Sequence, residues 1–400
     1  MNRKKILFVA EAVTLAHLAR PLALAMLLDP QQHELHLASA PGYDEFFAGG
    51  LPLRRWPLRS ISSVQFLAAL AAGKPVYDAA TLEGYVQEDL RLLHELRPDV
   101  VIGDFRLSLS VSARLSAIPY VALSNAYWSP YVHQHYRVPA LPLSRMLPIP
   151  LADLLFRAVR PLAFALHTLP LNAVRRRHGL PSLGTDLRRI YTDGDRTLYA
   201  DIPELFPAHG LPSSHRYLGP VTWSPPMAEP GWWTALPRAG PVVYVTLGSS
   251  GQGALLPRVL QALAPLPVTV VAATAGRVAL ERVPDNAHVA PYLPGEAAAR
   301  RASLVICNGG SPTSQQALAA GVPVLGIAGN LDQFLNMGGI EAAGAGQLLR
   351  ADRVDVRAVA RAAEFLLSSN AAAAAAGRVA QQFLQYQPGE RLRQVLRELA

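Results

Sequence analysis

The sequence predicts a two-domain α/β protein in which each domain is a doubly wound, mostly parallel sheet. Three observations point there. Short apolar runs alternate with helical patterns in two separate series. A proline-rich, weakly periodic stretch divides the two series. The length of 400 residues exceeds what one hydrophobic core usually supports.

The first series opens with Lys5 to Ala10, a short apolar run of the kind buried on both faces of a parallel sheet. A loop, Glu11 to Leu15, leads to a helical pattern from Leu18 to Leu28. Strands follow at Glu34 to Ala38, Asp99 to Gly103 and Tyr120 to Leu123, with an amphipathic helix at Leu82 to Leu96. A further strand is expected at Thr197. The region from Pro139 to about Leu187 is rich in Leu, Pro and Arg, and Leu151 to Leu169 has helical spacing. Residues 218–241 carry many prolines with Trp232 and Trp233, and read as a linker. The second series has strands at Val242 to Thr246, Val268 to Ala272, Ser303 to Ile306 and Pro323 to Ile327. Its helices are expected at Leu255 to Leu263, Arg357 to Leu367 and Ala371 to Tyr386. The expected division is therefore an N-terminal domain over 1–217, the linker over 218–241, and a C-terminal domain over 242–370. The helices of 371–400 are expected to pack back on the N-terminal domain. Open sheets of this kind bind ligands in the crevice beyond the carboxyl ends of their strands.

Composition narrows the function classes. Half the residues are hydrophobic and 16% are charged, as in a folded globular protein. The net charge of +8 is compatible with nucleic acid, an anionic membrane surface, a phosphorylated substrate or a merely solvated surface. No dense Lys/Arg run with interleaved aromatics occurs, so nucleic acid is not expected as a partner. The lone Cys307 favours a reducing, cytoplasmic setting. Arg3, Lys4 and Lys5 before Ile6 imitate a signal peptide, but Glu11, His17 and Arg20 interrupt the apolar run. No apolar stretch reaches the roughly 18–20 residues of a membrane span.

The chemistry concentrates after the strand ending at Ile306. There the chain reads Cys307-Asn308-Gly309-Gly310-Ser311-Pro312-Thr313, and a helical pattern opens at about Ser314. Glycines let backbone approach a ligand, and a helix start offers unpaired N–H groups with partial positive charge, which is an anion site. No lysine follows the glycines, so this is not a P-loop. An ordinary glycine-lined turn is the alternative at this level.

The longer pattern is Asn308-Gly309-Gly310-x-x-Thr313, Gln316-Ala317-Leu318-x-x-Gly321-Val322-Pro323, then Asp332-Gln333-x-x-Asn336. It resembles the donor-site signature of the GT-B inverting glycosyltransferases, which include natural-product sugar transferases. Ile6 to Arg20, Tyr85 to Leu90, Asn125 to Pro130 and Asn308 to Asn336 look more closely like the rhamnosyltransferases of mycobacterial phenolic glycolipid and p-hydroxybenzoate-derivative biosynthesis. The resemblance implies a GT-B fold with two Rossmann-like domains facing a cleft. It implies a histidine base at His17, oriented by Asp104. It also implies nucleotide-sugar contacts at Ser249, Tyr292, Leu293, Asn308, Gly309, Gly310, Ser311, Thr313, Gln316, Asp332 and Gln333. A histidine whose tautomer a carboxylate fixes suits proton removal from a hydroxyl; a helix-start histidine with a structural hydrogen bond is the plainer reading.

Two positions depart from the family pattern. Asn308 stands where histidine is usual and cannot become cationic, which leaves the diphosphate to backbone N–H groups and the helix dipole. Gln316 stands where glutamate usually grips ribose hydroxyls, and a neutral amide suits a nucleotide with fewer hydroxyls. The expected donor is therefore dTDP-rhamnose or another dTDP-deoxysugar, with a UDP-sugar as the alternative. No cofactor and no metal are expected. The acceptor is expected to be hydrophobic, phenolic or lipid.

Other features carry open readings. Tyr127 and Trp128 either stack on an acceptor or form a core cluster. Leu151 to Arg177 either docks on a membrane surface at the inner face or covers the first domain. Asp193-Gly194-Asp195 reads as a polar turn rather than a metal motif. Cys307 reads as a buried strand end rather than a reactive thiol. The rival functions are a GT-B epimerase, which needs no His17–Asp104 pair, and a non-catalytic sugar-nucleotide-binding helper.

Overall fold

The computed structural model describes residues 3–41, 53–225, 227–237, 239–248, 253–276 and 278–399. The chain forms two compact units, one from Met1–His133, Leu155–Val221 and Tyr386–Ala400, the other from Gln134–Leu154 and Thr222–Gln385.

The first unit holds a seven-stranded parallel sheet. Its strands are β1 (Lys4–Ala10), β2 (His33–Ser39), β3 (Arg54–Pro57), β4 (Val100–Asp104), β5 (Tyr120–Ser124), β6 (Arg196–Tyr199) and β7 (His215–Tyr217), in the order β3-β2-β1-β4-β5-β6-β7. The chain runs outward from β1 to β3, then returns to lay β4 on the other side of β1. That reversal makes the carboxyl ends of β1 and β4 the walls of a crevice. Ala10 and Asp104 are register partners there, and the N–H of Glu11 donates to the Asp104 carbonyl at 3.1 Å.

The second unit repeats the plan with β8 (Val242–Thr246), β9 (Thr269–Ala273), β10 (Ala287–Ala290), β11 (Leu304–Cys307), β12 (Val324–Ala328) and β13 (Gly346–Arg350), in the order β10-β9-β8-β11-β12-β13. Its reversal lies between β8 and β11, where Thr246 and Cys307 are partners. The central strands β4, β5, β11 and β12 are buried throughout, which is why they read as unbroken apolar runs.

Several elements differ from the sequence expectation. β3, β7, β10 and β13 were not foreseen. The first helix begins at Leu15 rather than Leu18, which places His17 in its first turn. The expected helix from Ala371 to Tyr386 is Asn370–Phe383, followed by a second helix, Pro388–Glu398, with proline in its first turn. The segment read as a linker is tied to the second unit: the Arg301 guanidinium donates to the carbonyls of Trp233 and Leu236, at 3.0 Å each.

On edge strand β7, His215 packs beside Tyr199 with its Nδ1 2.7 Å from the tyrosine hydroxyl. Burial lowers its pKa to about 4. A depressed folded-state value means its contribution is present above the ordinary value of 6.5 and is lost as pH falls through the folded one. The urea midpoint should therefore drop between those limits, and His215→Gln should flatten that slope. Parallel slopes for the two proteins would show that His215 is not the group responsible.

Candidate active site

In the first unit, the loop after β1 and the helix Leu15–Met26 bring His17 to the end of β4. Its Nδ1 lies 2.8 Å from Oδ1 of Asp104. The Asp104 carboxylate is buried, while about a fifth of the His17 side chain remains accessible, at 22%. With Nδ1–H donating to the carboxylate, Nε2 is left as the acceptor of a proton. One turn further along the same helix, Arg20 places Nε 3.4 Å from Asp104 Oδ2. Arg20 Nη2 also donates to Asn125 Oδ1, and Asn125 Nδ2 donates to Asp201, at 3.0 Å each. The ends of four successive neighbours in the sheet, β1, β4, β5 and β6, are thus joined by one polar chain.

Phe105 stacks on the other side of His17, with ring centroids 4.7 Å apart and planes 16° from parallel. It adopts φ +58°, a left-handed conformation that costs a bulky residue about 1–3 kcal/mol. The strain is held by Arg106, whose guanidinium is fully buried. Arg106 pairs with Glu11 at 3.0 Å, Asp89 at 2.9 Å and Glu88 at 3.2 Å, and lies 3.8 Å from the Tyr85 ring centroid. Burial disfavours the cation, but Asp89 and Glu11 outweigh this and keep it charged. Burial also raises the carboxyls of Glu11 and Asp89, with Arg106 opposing the rise. Neither Phe105 nor Arg106 belongs to the sequence-predicted site; no motif marks them, because their partners are scattered along the chain.

The aromatic wall continues from Phe105 to Tyr191 at 5.4 Å and from Tyr191 to Trp128 at 5.0 Å. Phe105 and Tyr191 also line a small hollow with Tyr77, Leu107, Leu171 and Ile190. Trp128 belongs to this wall. Tyr127 points the other way: it is fully buried and meets Phe206 edge-on at 5.3 Å. That placement corrects its reading as a ligand contact, because a side chain enclosed in the core has no face to offer an acceptor.

In the second unit, β11 runs into the turn Asn308–Gly310 and then the helix Ser311–Ala319, whose N-cap is Gly310. Gly309 sits at φ +80°, and a Cβ there would meet Met337 Cγ at 2.9 Å. The turn is fastened from below. Asn336 Nδ2 donates to the Gly309 carbonyl at 2.8 Å and to Ser314 Oγ at 2.9 Å. Asn308 Oδ1 accepts from the Gly310 N–H at 3.0 Å, so this asparagine shapes the turn with its oxygen. Thr313 is half-buried within the first turn of the helix, and Ser311 is buried at its first position.

Gln316 donates through Nε2 to the Trp223 carbonyl at 2.7 Å and to Ser224 Oγ at 3.2 Å. Gln333 is buried and completes a capping box on the helix Leu331–Ala342: its Oε1 accepts from the Asn330 N–H at 3.3 Å, and from the Gly329 N–H at 2.8 Å, while its own N–H donates to Asn330 Oδ1 at 3.0 Å. Asp332 is half-buried in the first turn of that helix. Tyr292 is exposed and Leu293 buried at the turn after β10. Ser249 lies outside the described residues.

Asp193 and Asp195 are committed to protein partners. Asp193 pairs with Arg114 at 2.9 Å and Arg175 at 3.1 Å, and Asp195 accepts from the Tyr120 N–H at 2.8 Å. A Cβ on the intervening Gly194 would come within 2.6 Å of the Arg196 carbonyl. Among the described residues, no group of three or more His, Cys, Asp or Glu side chains is placed to hold a metal ion. Cys307 is buried, and burial pushes its thiol up to about 12, so it is no nucleophile at neutral pH.

The chain is similar to known proteins along most of its length. Residues 257–398 match the family model of the erythromycin biosynthesis protein CIII-like C-terminal domain. A PGL/p-HBAD biosynthesis rhamnosyltransferase of Mycobacterium bovis (strain BCG / Pasteur 1173P2) is 56% identical over 382 residues, covering 96% of this chain and 85% of that protein. A PGL/p-HBAD biosynthesis glycosyltransferase of Mycobacterium tuberculosis (strain ATCC 25177 / H37Ra) is 54% identical over 382 residues, covering 96% and 89%. The solved spinosyn rhamnosyltransferase SpnG shares the fold, with a TM-score of 0.71 and 24% identity, covering 98% of this chain and 99% of that one. The chain belongs to the PGL/p-HBAD biosynthesis glycosyltransferases, enzymes of glycolipid biosynthesis built on the GT-B fold.

Proposed function

We propose that this enzyme transfers a deoxyhexose, rhamnose from dTDP-rhamnose in the first instance, with inversion to a hydroxyl of a hydrophobic phenolic or lipid acceptor. The observation that carries the reading is the contact between His17 and the buried Asp104 at 2.8 Å. In this mechanism Nε2 of His17 takes the proton of the acceptor hydroxyl while Asp104 holds the tautomer and steadies the imidazolium. The acceptor oxygen bonds to the anomeric carbon as the bond to the diphosphate breaks on the opposite face. The nucleoside diphosphate leaves with the electron pair, and His17 returns its proton to solvent. The start of the helix Ser311–Ala319 supplies positive potential for the leaving group. The acceptor's aromatic portion lies along Phe105, Tyr191 and Trp128.

Support for a thymidine nucleotide comes from fold analogy. SpnG, similar in fold, has been solved with thymidine diphosphate and with a spinosyn aglycone. The Gln316 amide donates to a carbonyl, which a glutamate cannot do. Gln316→Glu should therefore set two oxygens against each other and cost roughly 1–3 kcal/mol of stability, without conferring a preference for UDP-sugars.

A panel of dTDP- and UDP-sugars with phenolic and lipid acceptors, read by mass spectrometry, tests the proposal. Preferential turnover of dTDP-rhamnose is the expected result. Clear preference for UDP-glucose overturns the donor assignment, and conversion of the sugar nucleotide without any acceptor points to epimerisation instead.

A further inference from the structure

The helix Ile149–Arg177 has two unlike faces over the part that belongs to the first unit. Phe164, Thr168, Leu171, Asn172, Val174 and Arg175 are buried. The opposite face shows Leu155 (40% exposed), Val159 (55%), Leu162 (63%), Leu166 (50%) and Leu169 (51%). Their spacing of four, three, four and three residues lines them along one stripe. Isolated exposed leucines are ordinary, but a continuous apolar stripe several turns long marks an interaction surface.

The charges of the helix itself are mostly of one sign. The helix carries Arg157, Arg160, Arg175, Arg176 and Arg177; Arg176 and Arg177 are exposed at its end, Arg177 3.9 Å from Glu83, and the one acidic residue of the helix, Asp153, accepts from the Val138 N–H at 2.7 Å. Two copies packed stripe to stripe in parallel would set Arg176 and Arg177 against their own counterparts. An apolar stripe on a helix this rich in arginine matches an anionic bilayer, whose interior takes the leucines and whose phosphates meet guanidinium groups at the helix end. No described helix is long and apolar enough to cross a membrane.

We infer that the exposed face of residues 155–177 is a membrane-docking surface, on which the helix lies in the plane of an anionic lipid leaflet. This goes beyond the transfer reaction, and its test is independent of the donor and base assignments. The test is co-sedimentation of the full chain with phosphatidylcholine vesicles, with and without phosphatidylglycerol. The wild type should bind the anionic vesicles, and added salt should weaken binding. Leu162→Glu/Leu166→Glu/Leu169→Glu should lower the bound fraction at least about tenfold, with circular dichroism and turnover of a water-soluble acceptor unchanged. Should that variant misfold, Arg176→Glu/Arg177→Glu provides the second measurement and should abolish the preference for phosphatidylglycerol. Failure of the wild type to bind overturns the inference, as does equal binding by a folded variant. Concentration-dependent self-association that the leucine substitutions remove would assign the face to a second copy and overturn it too.

Discussion

Replacing His17 with alanine should lower glycosyl transfer by roughly two to four orders of magnitude, the usual contribution of a positioned general base. The fold should persist, because the imidazole is partly exposed and its removal leaves the sheet intact. Asp104→Asn should reduce transfer by a smaller factor: an amide keeps the shape of the carboxylate, yet neither holds the same tautomer reliably nor steadies the imidazolium. The ordering of the two effects is the informative part, since a purely structural hydrogen bond would make both changes visible in stability rather than in rate. Steady-state rates and urea unfolding of the same two variants separate these outcomes. Transfer by His17→Ala at the wild-type rate would remove the proposed base, and lack of transfer by the wild type would favour a non-catalytic binding role.

The largest effect on stability is expected from Arg106→Met. The substitution strands Glu11 and Asp89, both buried, without the cation that compensates them. Breaking a buried pair by removing one partner typically costs about 3–5 kcal/mol. The urea midpoint should fall accordingly, and adding Glu11→Gln and Asp89→Asn should recover part of the loss, because neutral amides tolerate burial better than lone carboxylates. A loss below about 1 kcal/mol would show that the network is not held by its charges. Transfer should also suffer, since the residue before Arg106 is the left-handed Phe105 stacked on His17.

The sequence was most legible where structure is continuous and enclosed. Strands at the centre of each sheet are buried on both faces, so their composition is uniformly apolar. The four unforeseen strands, β3, β7, β10 and β13, are the four edges of the two sheets. Edge strands are covered on fewer sides and carry residues such as Arg54, Arg55, His215 and Arg350, which blur the apolar signal. The same contrast holds at the site. The turn from Asn308 to Asn336 was readable because its parts follow one another in order, and Asn336 fastens Gly309 across a short stretch of chain. The Arg106 cluster was not, because Glu11, Glu88 and Asp89 meet it only after the chain has reversed direction across the sheet. Tyr127 and Trp128 are neighbours in sequence and point to different environments, a difference that depends on the local 3-10 turn Ala126–Trp128 rather than on residue type.

The enclosed Cys307 has a practical use. It is the only cysteine in the chain, and its thiol is shut away from reagents. A cysteine introduced at the exposed Ala158, beside the leucine stripe, would therefore be the single site to take up a maleimide fluorophore, with no need to prepare a cysteine-free background. An environment-sensitive dye at that position would brighten only if the inferred docking on lipid takes place, turning a silent core residue into the reason the protein can be labelled cleanly.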